Sequence, residues 1–150
     1  MPRTRRPSLV RARGLAAALA LAVVLVPVAA LPASAATPIV DIPAGGYGYG
    51  VAVTPDGTTA LVAVMDPSRV LVIDTASRTV IDTITAGTSP IRVAITPDGA
   101  LAYVTDDGSN RVVVVDLATR TATGTITVGP VPFAVIFSSD GTTAYVGDYG

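Results

Sequence analysis

Residues Val93–Asp106 read VAITPDGALAYVTD, in which two apolar, β-branched runs flank a Thr-Pro-Asp-Gly turn. Proline fixes its own φ inside such a turn, and glycine lets the chain leave the turn in a conformation that other residues avoid. The turn recurs at a constant spacing, before this stretch as Thr54–Gly57 and after it as Ser138–Gly141. Aligning residues 49–90 with 91–132 gives 20 identities in 42 positions without a gap. The chain therefore contains an internal repeat with a period of 42.

Each repeat is predicted to form four short strands. In the second copy they cover residues 92–96, 101–105, 111–116 and 121–128. The first and third strands are nearly continuous apolar runs, so both faces of the sheet should be buried. The fourth strand is rich in threonine and is expected at a half-exposed edge. A four-stranded unit that is apolar on both faces must stack on copies of itself, which predicts an all-β fold built from β-propeller blades.

Three segments of the second copy resemble the YVTN repeat of secreted bacterial and archaeal β-propellers, a family similar in fold to lactonase-like propellers. They are VAITPDGALAYVTD at 93–106, SNRVVVVD at 109–116 and TITVG at 125–129. The likeness extends over about residues 37–150, although YVTD at 103–106 has Asp where the name motif has Asn. The resemblance implies that the strand before the Pro-Asp-Gly turn lines a central channel and that the TITVG strand is outermost.

The repeat divides the chain after residue 36 into blades. Residues 37–45 are expected to form an outer strand, 46–87 and 88–129 two complete blades, and 130–150 an incomplete blade. Because these units cannot close a ring, we expect the sequence to be a fragment of a longer propeller. Self-association through open blade faces is the alternative, since a contiguous apolar face favours contact with a partner.

Residues 1–36 are predicted to be a signal-peptide helix with its cleavage site. Met1–Gly14 is basic, Leu15–Leu31 is apolar and uncharged, and Ala33-Ser34-Ala35 fits an A-x-A cleavage site. A retained membrane anchor is the alternative, but Pro27 and Pro32 interrupt the apolar run. We therefore expect a secreted protein, exported by the general secretory route rather than the twin-arginine route, with no membrane attachment after cleavage.

The composition excludes several classes of function. Five of the ten arginines lie in the first fourteen positions, so the rest of the chain carries 5 − 11 = −6 charges. That acidic balance argues against binding to nucleic acid. The absence of His and Cys excludes His-dependent triads, His or Cys zinc sites, thiol nucleophiles and disulfides. No catalytic residue, cofactor or metal is predicted.

The recurring aspartates have a structural explanation. Asp56, Asp98 and Asp140 hold the same place in each Pro-Asp-Gly or Ser-Asp-Gly turn, where an aspartate caps the turn by accepting backbone N–H bonds. The loop from Asp106 to Asn110 offers oxygen atoms of the kind that hard cations prefer, but it lacks the EF-hand pattern. The turn aspartates are therefore predicted to be caps rather than metal ligands.

Candidate ligand-binding residues lie where the predicted inner strands begin and in the loops that follow the second strands. An arginine at a channel mouth could receive an anionic ligand, and exposed tyrosines in the GGYGYG run at 45–50 could stack on one. A solvated connection between blades is the alternative interpretation. The candidates are Arg92, Tyr47, Tyr49, Asp106, Asp107 and Asp148.

These features favour a non-catalytic, secreted binding or interaction module. Its partner would be an unknown protein, a cell-surface group or a small-molecule ligand. The alternative is a lactonase-like propeller hydrolase whose active site lies partly in blades outside this sequence, because a fold does not fix a function.

Overall fold

The computed structural model describes residues 41–150. The predicted signal segment, and residues 37–40 of the predicted outer strand, lie outside the described residues. Residues 41–47 of the described chain contain no strand. Within residues 41–150, no helix is long and apolar enough to cross a membrane.

Ten strands form three separate antiparallel sheets in the described chain, which confirms the predicted all-β class and the four-stranded unit. Sheet 1 contains β1 (Gly48–Val53), β2 (Thr59–Val64), β3 (Arg69–Asp74) and β4 (Thr79–Ile84). Sheet 2 contains β5 (Pro90–Ile95), β6 (Leu101–Asp106), β7 (Arg111–Asp116) and β8 (Thr121–Thr127). Sheet 3 contains β9 (Pro132–Phe137) and β10 (Ala144–Asp148). A short 3-10 helix over Asp107–Ser109 follows β6.

The sequence repeat is also a repeat of strand register. The strands of sheets 1 and 2 are hydrogen-bonded in chain order, β1-β2-β3-β4 and β5-β6-β7-β8. Leu61 pairs with Val72 in sheet 1, and Tyr103, one repeat period later, pairs with Val114 in sheet 2. Because each pairing recurs at the same offset, residues at equivalent repeat positions occupy equivalent places in successive sheets.

The turns between the first and second strands are capped by aspartate, as predicted. Asp98 Oδ1 accepts bonds from Thr96 Oγ1 at 2.5 Å and from Ala100 N at 3.0 Å, and Gly99 has φ +73°. The hydrogen bonds from the Thr96 side chain and the Ala100 backbone hold the pKa of Asp98 below its ordinary value. Asp56 and Asp140 make the same contacts, and the Ser138 side-chain bond, followed by those of Thr142, lowers the pKa of Asp140 to about 2.

The hydrophobic core lies between sheets 1 and 2. Leu61, Val72, Val104 and Val115 are each no more than 1% exposed within it. A second apolar cluster on the opposite face of sheet 1 joins Val64, Leu71 and Ile73, and Ile42 and Ala44 pack against it. Tyr103 on sheet 2 and Phe137 on sheet 3 meet edge to face, with ring centroids 4.8 Å apart.

Burial follows the prediction in β3 but departs from it in β1, β8 and β9. All four central residues of β3 are buried. The fourth strand β8 is an edge strand as predicted, but it is exposed along its whole length rather than half-exposed. The prediction that both faces of a first strand are buried is wrong for β1, where Val51 and Val53 are 65% and 52% exposed, and for β9, where Ile136 is 63% exposed. No described element packs against these faces.

Candidate functional site

The first strands of the three sheets, β1, β5 and β9, lie side by side with β5 between the other two, and we call them the inner strands. Gly50 marks a close approach of β1 to β5: a Cβ atom at this position would lie 2.7 Å from both the Arg92 Cα and the Ile91 carbonyl oxygen. Only glycine permits two backbones to come this near. This contact brings the starts of the inner strands together at one end of the described sheets.

A cavity of about 420 Å³ opens at that end. Its volume lies within the range of small-molecule sites, which runs from about 300 to 1,000 Å³. Two sets of equivalent repeat positions line it, together with Val131. The first set is the second residue of each inner strand: Tyr49, Ile91 and Phe133. The second set is the residue directly after each second strand: Met65, Asp107 and Tyr149. We call it the three-sheet cavity.

One hydrogen bond, repeated in each sheet, fixes the second set of lining residues. Asp107 N donates to Ser89 O at 3.0 Å. Met65 N donates to Tyr47 O and Tyr149 N donates to Val131 O, each also at 3.0 Å. Since the bond ties the residue after the second strand to the residue before the first, it holds both lining sets at the same end of each sheet.

Val131 contributes a strained piece of backbone to the cavity wall. Its φ is +55°, in the left-handed region that β-branched residues rarely adopt. The Val131 N–H donates to Asn110 Oδ1 at 3.1 Å, and Asn110 has a φ of +50° itself. Strain of this kind persists only when neighbouring contacts enforce it, and it concentrates at ligand-binding sites.

Arg92 contacts two residues that line the cavity and joins all three inner strands. Its Nη1 atom donates to Tyr49 O at 2.6 Å, and its guanidinium carbon lies 4.9 Å from the centroid of the Phe133 ring. The second contact is within the range of a cation–π interaction. The guanidinium is therefore already bonded on both sides, and Arg92 is not among the residues that line the cavity.

Asp107 is the charged residue among those that line the three-sheet cavity. It is half-buried. Its backbone N–H is bonded to Ser89, but no described residue donates a hydrogen bond to its carboxylate. The cavity therefore combines an apolar wall, three aromatic rings and one carboxylate without a protein donor in residues 41–150.

The side chain of Asp106, the residue before Asp107, has a structural role. The Asp106 side chain is fully buried, with Oδ1 accepting from Thr88 N at 2.9 Å and Ser89 N at 2.8 Å, and Oδ2 from Arg111 Nε at 3.0 Å. Burial alone would raise the pKa of Asp106, but the bonds from Ser89, Thr88 and Arg111 outweigh it and leave the pKa below its ordinary value. These contacts anchor the connection between sheets 1 and 2 to the end of β6.

The first repeat lacks this carboxylate. Val64 stands at the position of Asp106, and Arg69, the counterpart of Arg111, donates through Nη2 to Ala44 O at 2.9 Å and Gly45 O at 3.2 Å. The Arg69 Nε atom is buried and has no partner among the described residues. Backbone carbonyls thus replace the carboxylate as acceptors in sheet 1.

The structure brings together three of the six predicted site residues. Tyr49 and Asp107 line the cavity and Arg92 supports it, whereas Tyr47, Asp106 and Asp148 are not among its lining residues. Sequence reasoning did not select Met65, Ile91, Val131, Phe133 or Tyr149. All of these except Val131 stand one or two repeat periods from Tyr49 or Asp107, so the repeat offset was the signal that could have found them. Within residues 41–150, no group of three or more acidic side chains could hold a metal ion.

Comparison with known proteins gives structural likenesses but no family. No family model matches the chain, and no curated protein matches it. A solved structure of hydrazine synthase from Kuenenia stuttgartiensis is similar, with a TM-score of 0.68 and 31% sequence identity. The match covers 77% of this chain and 32% of that chain, so the likeness concerns a minor part of the larger protein. It agrees with a β-propeller-like arrangement of the repeated sheets.

Proposed function

We propose that this chain is part of a secreted β-propeller of the YVTN type and acts as a binding module, taking a small and largely apolar ligand in the three-sheet cavity. The YVTD motif and the internal repeat support the propeller. The basic, apolar and A-x-A order of residues 1–36 supports secretion. The alternative, a lactonase-like hydrolase, stays a prediction from the sequence.

The observation that carries the binding function is that two sets of equivalent positions, one residue from each sheet, surround a single cavity. The first two repeats differ at both positions: Tyr49 stands against Ile91, and Met65 against Asp107. Variation at these positions gives the cavity an asymmetric wall, which is what a specific ligand requires.

Met65 offers a direct report on whether the cavity binds a ligand. Met65 is the one methionine in residues 37–150, so ¹³C at the methionine methyl groups gives one signal once the signal segment is removed. In the full chain Met1 adds a second signal, and a Met65→Leu variant distinguishes the two. Titration with p-cresol, a neutral aromatic probe, should shift the Met65 methyl signal in a saturable way.

A matched pair of tyrosine variants tests the location. Both tyrosines are exposed, Tyr149 by 86% and Tyr145 on β10 by 60%, but only Tyr149 is among the residues that line the cavity. Tyr149→Ala should weaken p-cresol binding about fivefold or more, since an aromatic contact contributes about 1 kcal/mol. Tyr145→Ala should leave it within about twofold of the parent chain. If the Met65 signal does not respond, or if both variants bind equally, the cavity is not the site.

A further inference from the structure

We infer that the three-sheet cavity selects a small organic cation with apolar substituents, such as an alkylated ammonium compound. This inference rests on the proposed function and specifies its ligand class. It differs from the anionic ligand that Arg92 suggested in the sequence, because the charged group that faces the cavity has the opposite sign.

The first observation is the identity of that charged group. Among the lining residues, Asp107 alone carries a charge, and no described residue donates a hydrogen bond to its carboxylate. Every other lining side chain is aliphatic, aromatic or a thioether. A bound ligand therefore meets one negative charge in an otherwise apolar wall, and a cation with apolar substituents satisfies both parts of it.

The second observation is the aromatic lining. Tyr49, Phe133 and Tyr149 come from sheets 1 and 3 and from both lining sets. Aromatic faces attract ammonium groups, and clusters of such rings bind alkylated ammonium ligands. One face of the Phe133 ring is already occupied by the Arg92 guanidinium, which lies 4.9 Å from its centroid, so a ligand cation would meet the Tyr49 and Tyr149 rings or the other face of Phe133.

The third observation concerns Arg92, the positive charge nearest the cavity. Its guanidinium is bonded to Tyr49 O and packed on Phe133, both of which line the cavity, whereas Arg92 is not itself among the lining residues. The described chain as a whole carries 5 − 11 = −6 charges, which also favours the approach of a cation. Local charge and total charge thus point to the same ligand class.

A pair of isosteric probes tests the charge directly. Choline carries a trimethylammonium group, and 3,3-dimethyl-1-butanol has the same shape with a neutral carbon in place of nitrogen. Titrated against the full chain and followed at the Met65 methyl signal, choline should bind about tenfold more tightly, because only choline gains the contact with the carboxylate and the cation–π contact.

Two variants with the same change in net charge test whether Asp107 causes the preference for choline. Asp107→Asn should weaken choline binding about fivefold and leave 3,3-dimethyl-1-butanol binding unchanged. Asp82→Asn, on β4 and paired with Arg120 at 3.4 Å, should leave the binding of both probes within about twofold of the parent chain.

If p-cresol binds but choline has no advantage over its isostere, the charge inference is overturned and the proposed function stands. If no probe moves the Met65 signal, the proposed function itself fails. Equal losses in the two aspartate variants would also overturn the role of Asp107.

Discussion

The guanidinium carbon of Arg92 lies 4.9 Å from the centroid of the Phe133 ring, although the two side chains belong to different sheets. The same guanidinium donates to Tyr49 O in a third sheet at 2.6 Å. Arg92 stands at a position that is Gly50 in the first repeat and Ala134 in the third, so one large side chain spans a space that its two counterparts leave free. The three inner strands are joined at the cavity by this one residue.

Replacing Arg92 should therefore destabilise the described sheets. Arg92→Met keeps much of the side-chain volume but removes the hydrogen bond and the cation–π contact, and we expect a loss of about 1–2 kcal/mol in the free energy of unfolding. Arg120→Met is the matched control, because it breaks an exposed ion pair with Asp82 at 3.4 Å. The control should change stability by less than about 0.5 kcal/mol in urea denaturation. Equal losses would show that Arg92 does not join the strands.

Gly50 should tolerate no side chain. A Cβ at this position would lie 2.7 Å from the Arg92 Cα and from the Ile91 carbonyl oxygen. Both are backbone atoms, so a change of side-chain rotamer cannot relieve the overlap. Gly50→Ala should cost about 1–3 kcal/mol, as other overpacked sites do. Gly124→Ala on β8, where a Cβ would meet nothing within 4 Å, should be neutral or slightly stabilising. Thermal unfolding of the two variants compares them, and a harmless Gly50→Ala would contradict the close packing of β1 on β5.

A turn glycine should matter more to folding than the cavity aspartate. Gly99 has φ +73°, so Gly99→Val forces a β-branched residue into the left-handed region at a cost of about 1–3 kcal/mol. Asp107→Ala removes a carboxylate to which no described residue donates, and it should change stability by less than about 0.5 kcal/mol. Chemical denaturation measures the free energy of unfolding of both variants. A larger loss for Asp107→Ala than for Gly99→Val would contradict this prediction and show that Asp107 stabilises the loop.

Stability should fall in acid, and Asp106 should account for part of the fall. Its pKa in the folded chain is below the ordinary 3.8, so its contribution is complete above that value and is lost as the pH drops through the lower folded pKa. Asp56, Asp74, Asp98, Asp116 and Asp140 act in the same direction. Asp106→Asn should lower stability at pH 7 by about 2–3 kcal/mol and make the decline below about pH 4 shallower. Urea midpoints measured across this pH range provide the test, and an unchanged slope would contradict the assignment.

The fold was predictable because it depends on local chemistry that recurs. The Thr-Pro-Asp-Gly turn and the apolar runs beside it specify the strands, and the constant offset between copies specifies that the unit is repeated. The burial of β1 was not predictable in the same way. Val51 and Val53 are apolar, so the sequence predicts that they are buried. Whether they are buried depends on whether a further element packs against that face of β1, which the residues themselves do not specify.

The site was predictable only in part, because a cavity is a property of three sheets at once. Tyr49, Arg92 and Asp107 were identified from their positions at strand ends. Asp106 and Asp107 are adjacent and identical in the sequence, yet one is fully buried with an arginine partner and the other faces the cavity. Their separate roles follow from the alternation of side-chain direction at the end of β6, which the sequence alone does not fix to within one residue.

The central claim is that one ligand contacts residues of different sheets at equivalent repeat positions. Intermolecular nuclear Overhauser effects between p-cresol and the full chain test it most directly. We predict contacts from the probe to the Met65 methyl group in sheet 1 and, in the same complex, to the Phe133 and Tyr149 rings of sheet 3. Contacts confined to exposed residues of a single sheet, such as Ile136 and Tyr145 on sheet 3, would contradict the claim.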